Sequence, residues 1–440
     1  MPDLPRDPEA LNSVLEAAYL ERSGPDRPRL LGLEFECLRV RRDDLEAAPS
    51  VGDDGPDPIV LDLAAELAGS PSEVREHREG GVLSWVDAKG TNLSLEPGGQ
   101  IEVSLPPMAR PLEVGRWLDA YVQRLDRRLG GTPYRTLFLG HQPFTPPEAI
   151  QLRAKPRYAI MDRRLAAAGT LGRHMMRATA GMQVTLDFRD GAECARMLRS
   201  ALLMAPFITA IYANSPLVRG RDSGYVSFRE HVWWDTDPSR CGVPARLVAD
   251  DACLRDYVDF ALDAEAWFVE RDGELRALPD GVSFRGLLEA GERLTLADFA
   301  LHSSTLFPAA RLRGGVEVRS ADCVPPDMAA AFCAIQAGCL YDEEAREAVA
   351  ALHPIRDQEG LRALHECTAR DGLQAVHPTL GSIADVAARM IAIAEGGLRR
   401  LIATGAYEPE TLALLEPVRC CLERRCCLAR DALVLYPARA

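Results

Sequence analysis

Apolar and polar residues alternate in four short segments of the chain. They are Leu-Gly-Leu-Glu34-Phe-Glu36-Cys, Ser-Leu-Glu96-Pro-Gly-Gly-Gln100-Ile-Glu102-Val, Gly-Met-Gln183-Val-Thr185-Leu-Asp187-Phe and Gly-Gly-Val-Glu317-Val-Arg319. Successive side chains of a strand point to opposite faces, so the pattern predicts strands in which Leu33, Phe35, Ile101, Val103, Met182, Val184, Val316 and Val318 face a core. Glu34, Glu36, Glu102, Gln183, Glu317 and Arg319 then line the opposite face. Elsewhere the apolar spacing is helical, near 11–20 and over 59–68, 114–129, 158–168 and 192–213. Val114, Leu118, Val122, Leu125 and Leu129 are the clearest such stripe. Strands are expected at 30–40, up to 105 where Pro106-Pro107 ends the run, at 135–140 and at 182–188; 214–237 is polar and aromatic, and Ala-rich helices follow from 327. With strands interrupted by helices, no repeat and no dividing linker, the expected class is α+β. One domain is expected over 1–440, with 1–29 as an N-terminal extension and 327–440 as a helical C-terminal part.

The polar face so predicted holds Glu and Gln with a single Arg, whereas a solvated strand face would mix Lys, Thr and Glu. Carboxylates at that density repel one another or take up protons unless cations neutralise them, and hard divalent ions bound by oxygen do this best. Such sites most often manage phosphate oxygens. Neither of the two lysines, Lys89 and Lys155, has a P-loop context, and no Gly-x-Gly-x-x-Gly follows a strand, so those two nucleotide-binding folds are excluded. The glycines of Glu96-Pro97-Gly98-Gly99-Gln100 fit either a hairpin turn or a close approach of backbone to ligand.

A net charge of -14 disfavours nucleic acid and anionic membrane surfaces, while the arginine-rich basic complement suits small anions in a locally positive pocket. The longest apolar run, 201–213, contains Pro206, is too short for a bilayer and reads as a buried helix, so no membrane partner is expected. The N-terminus lacks a basic and apolar leader, and with twelve cysteines a reducing, cytoplasmic location is expected. Cys420, Cys421, Cys426 and Cys427 fit one stripe of a terminal helix better than a zinc site.

The ordered segments Leu-Ser-Leu-Glu96-Pro-Gly-Gly-Gln-Ile-Glu102-Val-Ser, Met-Met-Arg177-Ala-Thr-Ala-Gly-Met-Gln183-Val-Thr-Leu-Asp-Phe, Gly-Tyr-Val-Ser-Phe-Arg229-Glu-His-Val-Trp233-Trp-Asp-Thr-Asp and Thr305-Leu-Phe-Pro-Ala-Ala-Arg-Leu-Arg carry a resemblance. Together with Glu317-Val-Arg319, they resemble the plant-type glutamate-cysteine ligases and the related ergothioneine-pathway enzymes, from about Leu30 to the C-terminal helices. The resemblance implies a glutamine-synthetase-like fold, a curved antiparallel sheet forming a metal and ATP cup packed by helices. It implies that Glu34, Glu36, Glu96, Glu102, Gln183 and Glu317 share two or more Mg²⁺ ions with ATP phosphates. Arg319, with Glu317, would meet the transferring phosphoryl group, and Arg177, Arg229 and Trp233 would hold the substrate glutamate. The implied reaction joins the γ-carboxylate of L-glutamate to the amine of L-cysteine through a γ-glutamyl phosphate, with a monomer or homodimer expected.

The chain departs from the family at Leu33, Phe35, Cys37 and Thr185, and in Ser-Ala-Asp-Cys-Val-Pro-Pro after Arg319, where the family has glycines and a tryptophan. These changes leave another amine acceptor, in a specialised biosynthetic pathway, as the alternative.

Overall fold

The alternation that begins at Leu31 is realised in a nine-stranded antiparallel sheet. The protein is described by a computed structural model over residues 2–437; the outermost ends of the expected domain, Met1 and 438–440, lie outside the described residues. The strands are β1 (Leu31–Arg41), β2 (Val74–Glu79), β3 (Val82–Ala88), β4 (Thr91–Leu95), β5 (Ile101–Ser104), β6 (Tyr134–Leu137), β7 (Gly181–Leu186), β8 (Ala310–Leu312) and β9 (Val316–Asp322). Their order is β8-β9-β7-β1-β5-β4-β3-β2, with β6 paired to the distal end of β1. Irregular register between Val318 and Ala321, and between His77 and Arg78, marks bulges, which bend and twist a sheet locally.

Leu33, Phe35, Ile101, Val103, Met182, Val184, Val316 and Val318 are all buried, as the period of two requires. Against that apolar side pack the helices Pro111–Leu129, Gly191–Tyr212 and Pro326–Leu340, and Ile383–Ala403 packs behind the last two. Proline opens two of them, at the first turn where its missing N–H removes no helical bond, and Asp190 caps Gly191–Tyr212 by accepting from the Glu193 N–H. The expected buried helix is longer than its apolar run: its 22 residues are enough to cross a bilayer by length and composition, yet every residue from Ser200 to Tyr212 is buried inside the fold.

Three features differ from expectation. The hairpin of β2 and β3 was not foreseen, because Val-Arg-Glu-His-Arg-Glu is an edge strand exposed on both faces and shows no alternation. The 214–237 segment contains a short helix, Phe228–Trp234, capped by the Ser227 hydroxyl. The four C-terminal cysteines do not form one stripe: Cys420 and Cys421 lie on Glu416–Arg424, Arg425 turns left-handed at φ 49°, and Cys427 immediately precedes the separate helix Leu428–Leu435. A second core joins Leu4, Leu11 and Leu15 of the N-terminal segment to Val258, Leu262, Phe284, Leu288 and Phe299.

Candidate active site

Pairing register turns the polar face into two rows. In one, Gln183, Glu34, Ser104 and Asn92 stand opposite one another across β7, β1, β5 and β4. In the next, Glu36, Glu102, Ser94 and Trp85 do so across β1, β5, β4 and β3. Opposed side chains on neighbouring strands have Cβ atoms about 5 Å apart, so three of the predicted glutamates meet here by pleat geometry alone. Glu96 joins them from the turn that follows β4.

That turn needs its glycines for close packing. A Cβ on Gly98 would lie 2.1 Å from the Arg177 carbonyl oxygen, and Gly99 has φ +84° against Ser50. Gln100 fixes the turn by accepting from the Gly98 N–H at 2.9 Å and donating to the Thr179 carbonyl at 2.8 Å. Gly181 makes room in the same way, since a Cβ there would meet the Arg229 guanidinium at 2.3 Å.

The rows floor a cleft of about 490 Å³. Glu34, Glu36, Glu96, Glu102, Gln183, Arg229, Trp233 and Arg319 line it. Glu317 lies just beneath, fully buried, its Oε1 accepting from Arg311 Nε at 2.9 Å and from Arg319 Nη1. Arg177 is the predicted residue that the structure does not bring in: its guanidinium donates to Asp162 at 2.9 Å and to the Ile150 carbonyl at 3.3 Å. The face is also more basic than the single expected arginine. Arg311 and Arg313 of the β8 segment line the cleft, and Lys155 and Arg157 enter it beside Tyr158 and Met161 at the start of the helix Pro156–Ala168. The alternation Arg311-Leu-Arg313 was visible in the sequence. Lys155 and Arg157 precede or begin a helix and gave no such signal.

The acids of the two halves titrate in opposite directions. Burial, then repulsion from Glu102 and Glu317, raises the Glu34 carboxyl to about 7. Burial, then Glu96 and Glu36, raises Glu102 to about 8, against the Ser94 hydroxyl that donates to it at 2.5 Å. Glu96 is raised by burial and by Glu36. Glu36 is raised by burial although Arg229, Gln183 and the Gly181 N–H oppose it. Burial would raise Glu317 too, but Arg311, Arg319 and Arg313 outweigh it and hold the carboxyl at about 2.

Two buried oxygens on this floor, Gln183 Oε1 and Glu317 Oε2, accept no hydrogen bond. Among the described residues, no three His, Cys, Asp or Glu side chains converge into a ready-made ion cage. The donor chemistry nevertheless fits a hard cation: clustered carboxylate oxygens that are costly to ionise together, with unpartnered oxygens beside them, and room for ligand oxygens to complete a shell.

At the β9 end of the cleft the guanidinium carbon of Arg319 lies 5.6 Å from the Trp233 ring centre and 5.8 Å from that of Phe307. Arg229, 2% exposed, donates to the Arg319 carbonyl at 3.3 Å and sits 5.8 Å from Trp233. The arrangement presents forked cations and an aromatic wall to one part of a bound molecule and a carboxylate floor to another.

Residues 30–438 match the family described as glutamate-cysteine ligase family 2 (GCS2). The chain is 34% identical over 304 residues to the chloroplastic glutamate-cysteine ligase of Brassica juncea, covering 67% of this chain and 59% of that protein. It is 33% identical over 304 residues to the chloroplastic enzyme of Arabidopsis thaliana, covering 67% and 58%. It thus spans less than three fifths of these relatives' length. A solved structure of glutamate-cysteine ligase from Francisella tularensis in complex with AMP aligns with a TM-score of 0.54 at 12% identity, over 91% of this chain and 83% of that one, a likeness of fold. The chain belongs to glutamate-cysteine ligase family 2.

Proposed function

We propose that this chain is an ATP- and Mg²⁺-dependent ligase that joins the γ-carboxylate of L-glutamate to the amine of L-cysteine through a γ-glutamyl phosphate. The observation that carries the reading is the divided cleft, with clustered carboxylates on one part of its lining and the buried arginines Arg229, Arg311 and Arg319 on another, in a chain of this family. Joining a carboxylate to ATP brings anionic groups together, and charge compensation is the main catalytic need.

In this reading Glu34, Glu36, Glu96, Glu102, Gln183 and Glu317 hold Mg²⁺, which when bound neutralises phosphate charge. Arg319 donates to the oxygens of the transferring phosphoryl group, and Glu317 keeps Arg319 aimed at the floor. Arg229 forks onto a carboxylate of the substrate, and Trp233 packs against its methylenes. The γ-carboxylate attacks the terminal phosphorus and ADP leaves; the amine then attacks the acyl carbon, phosphate leaves and the amine loses a proton. No protein nucleophile is required. Arg177, engaged with Asp162, takes no part at the cleft in this reading.

A second reading, the same chemistry with another amine acceptor, is supported by Thr185 and by Ser-Ala-Asp-Cys-Val-Pro-Pro after Arg319. One experiment tests both. The protein is incubated with ATP, Mg²⁺, glutamate and a panel of amines, with ADP release and product mass followed. ADP formation that requires glutamate and an amine supports the ligase, and the mass of the dominant product names the acceptor. ADP release independent of glutamate would replace it with a phosphohydrolase.

A further inference from the structure

Arg229 and Trp233 reach the cleft from one seven-residue helix, Phe228–Trp234, too short to hold its own orientation. Glu230, next to Arg229 on that helix, is 5% exposed and lies outside the main cleft lining. Its Oε1 accepts from His365 Nδ1 at 2.6 Å and from Trp234 Nε1 at 2.9 Å. His365 is fully buried on the helix Gln358–Asp371, and its Nε2 has no hydrogen-bond partner, so the bond to Glu230 is the polar contact that orients its ring.

The same helix grips the segment at other points. The Ala369 carbonyl accepts from the Val226 and Ser227 N–H groups at 3.0 and 2.9 Å, and Glu366 accepts from the Tyr225 hydroxyl at 2.8 Å. His231, on the same short helix, adds a half-exposed contact from Nδ1 to Glu366 at 3.4 Å, whereas the Glu230–His365 contact beside Arg229 is buried. Glu230 also borders a small cavity behind Trp233, shared with Phe307, Arg319 and Ser320. Burial opposes ionisation of Glu230, but the bonds from His365 and Trp234 and the charge of Arg229 outweigh it. A hydrogen bond to a charged, water-excluded acceptor is among the stronger positional restraints a protein has.

We infer that Glu230 and His365 form a positioning pair that sets the helix carrying Arg229 and Trp233, so that the C-terminal helical layer takes part in binding the amino-acid substrate. The inference rests on the reading that Arg229 and Trp233 hold that substrate. Neither Glu230 nor His365 touches the reacting atoms.

The test compares Glu230→Ala, His365→Phe and Glu230→Gln with wild type, using the glutamate KM, the ATP KM and calorimetric binding of L-glutamate. Glu230→Ala and His365→Phe raise the glutamate KM and Kd by about tenfold and leave the ATP KM within about twofold. Glu230→Gln, which keeps an acceptor oxygen at the same place, restores glutamate binding to within about threefold of wild type. If Glu230→Ala does not fold, Trp234→Phe removes one donor to the same carboxylate and carries the same expectation. Variants with a lower Tm but an unaltered glutamate KM, or with both KM values raised alike, overturn the inference. A wild type that binds glutamate without forming product defeats the ligase reading while calorimetry still decides this one; a wild type that binds no glutamate overturns both.

Discussion

Glu317 and Glu102 lie on the same polar face of one sheet with two strands between them, Glu317 fully buried and Glu102 partly exposed to the cleft. One is held at about 2 by three arginines, the other pushed up to about 8 by its neighbouring acids. The β8–β9 side of the cleft compensates its charge internally through Glu317 Oε1 and leaves Oε2 free of hydrogen bonds. The β1–β5 side does not compensate its own, and carries a proton or awaits a cation. Glu317 is the more deeply buried of the two, yet it is the one that ionises, so neighbouring charge decides which carboxylate is an anion unaided and which needs a proton or a cation.

The largest expected effect separates the halves by substitution. Glu317→Gln leaves Arg311 and Arg319 buried without their anion, which costs about 3 to 5 kcal/mol of stability together with turnover. Glu102→Gln removes a charge that the folded protein disfavours, so it lowers turnover by about a hundredfold or more with little change in Tm. Thermal melts beside ADP-release assays check the pair. Equal losses of Tm would erase the contrast.

Next in size is an opposite pH response. Glu34 and Glu102 have folded values of about 7 and about 8, above the ordinary 4.5, so the folded protein keeps protons that the unfolded chain releases. Their contribution is therefore undiminished below pH 4.5 and is lost as pH rises through 7 to 8. Glu317, lowered to about 2, contributes fully above pH 4.5 and loses its contribution as pH falls toward 2. Mg²⁺ should accordingly raise Tm more at about pH 8 than at about pH 6, by a few degrees. An identical Mg²⁺ effect at both values would place the cation elsewhere.

How much of this was legible in the sequence follows from the physics of each element. Glu34, Glu36, Glu102 and Gln183 were readable because a strand has a period of two and register then aligns its neighbours. The compensating partners of Glu317 were half readable: Arg311 and Arg313 alternate like the glutamates, but nothing local shows that β8 lies beside β9. Lys155 and Arg157 arrive through space. Arg177 sits in a well-matched segment, and only the fold shows Asp162 taking its guanidinium. The β2 edge strand carried no pattern because neither of its faces is buried.

A smaller effect sharpens the substrate side. Arg229→Lys replaces a fork with a point charge and should raise the glutamate KM by about tenfold with the ATP KM nearly unchanged. An unaltered glutamate dependence would detach Arg229 from the substrate. The smallest effect belongs to the C-terminal cysteines. Cys421 and Cys427 are buried, with thiols pushed up to about 11 and about 12 chiefly by burial, so they pack rather than react. Replacing Cys420, Cys421, Cys426 and Cys427 by serine or alanine should leave ligation per folded molecule unchanged, and purified protein should hold no stoichiometric zinc. A folded but inactive quartet variant, or tightly bound zinc, would refute this.

The second core has a consequence for how the chain is made. Leu11 and Leu15 emerge from the ribosome early, yet their partners Phe284, Leu288 and Phe299 follow some 270 residues later. At ordinary elongation speeds of about 5 to 20 residues per second, the first helix waits roughly 15 to 60 s for its partners. During that interval the glutamates of β1 and β5 are already synthesised, while Arg311 and Arg319 are not. Glu317 and its partners Arg311 and Arg319 are then made within nine residues of one another, so the compensated cluster never waits for its counter-ions, whereas the glutamates of β1 and β5 stay without theirs throughout.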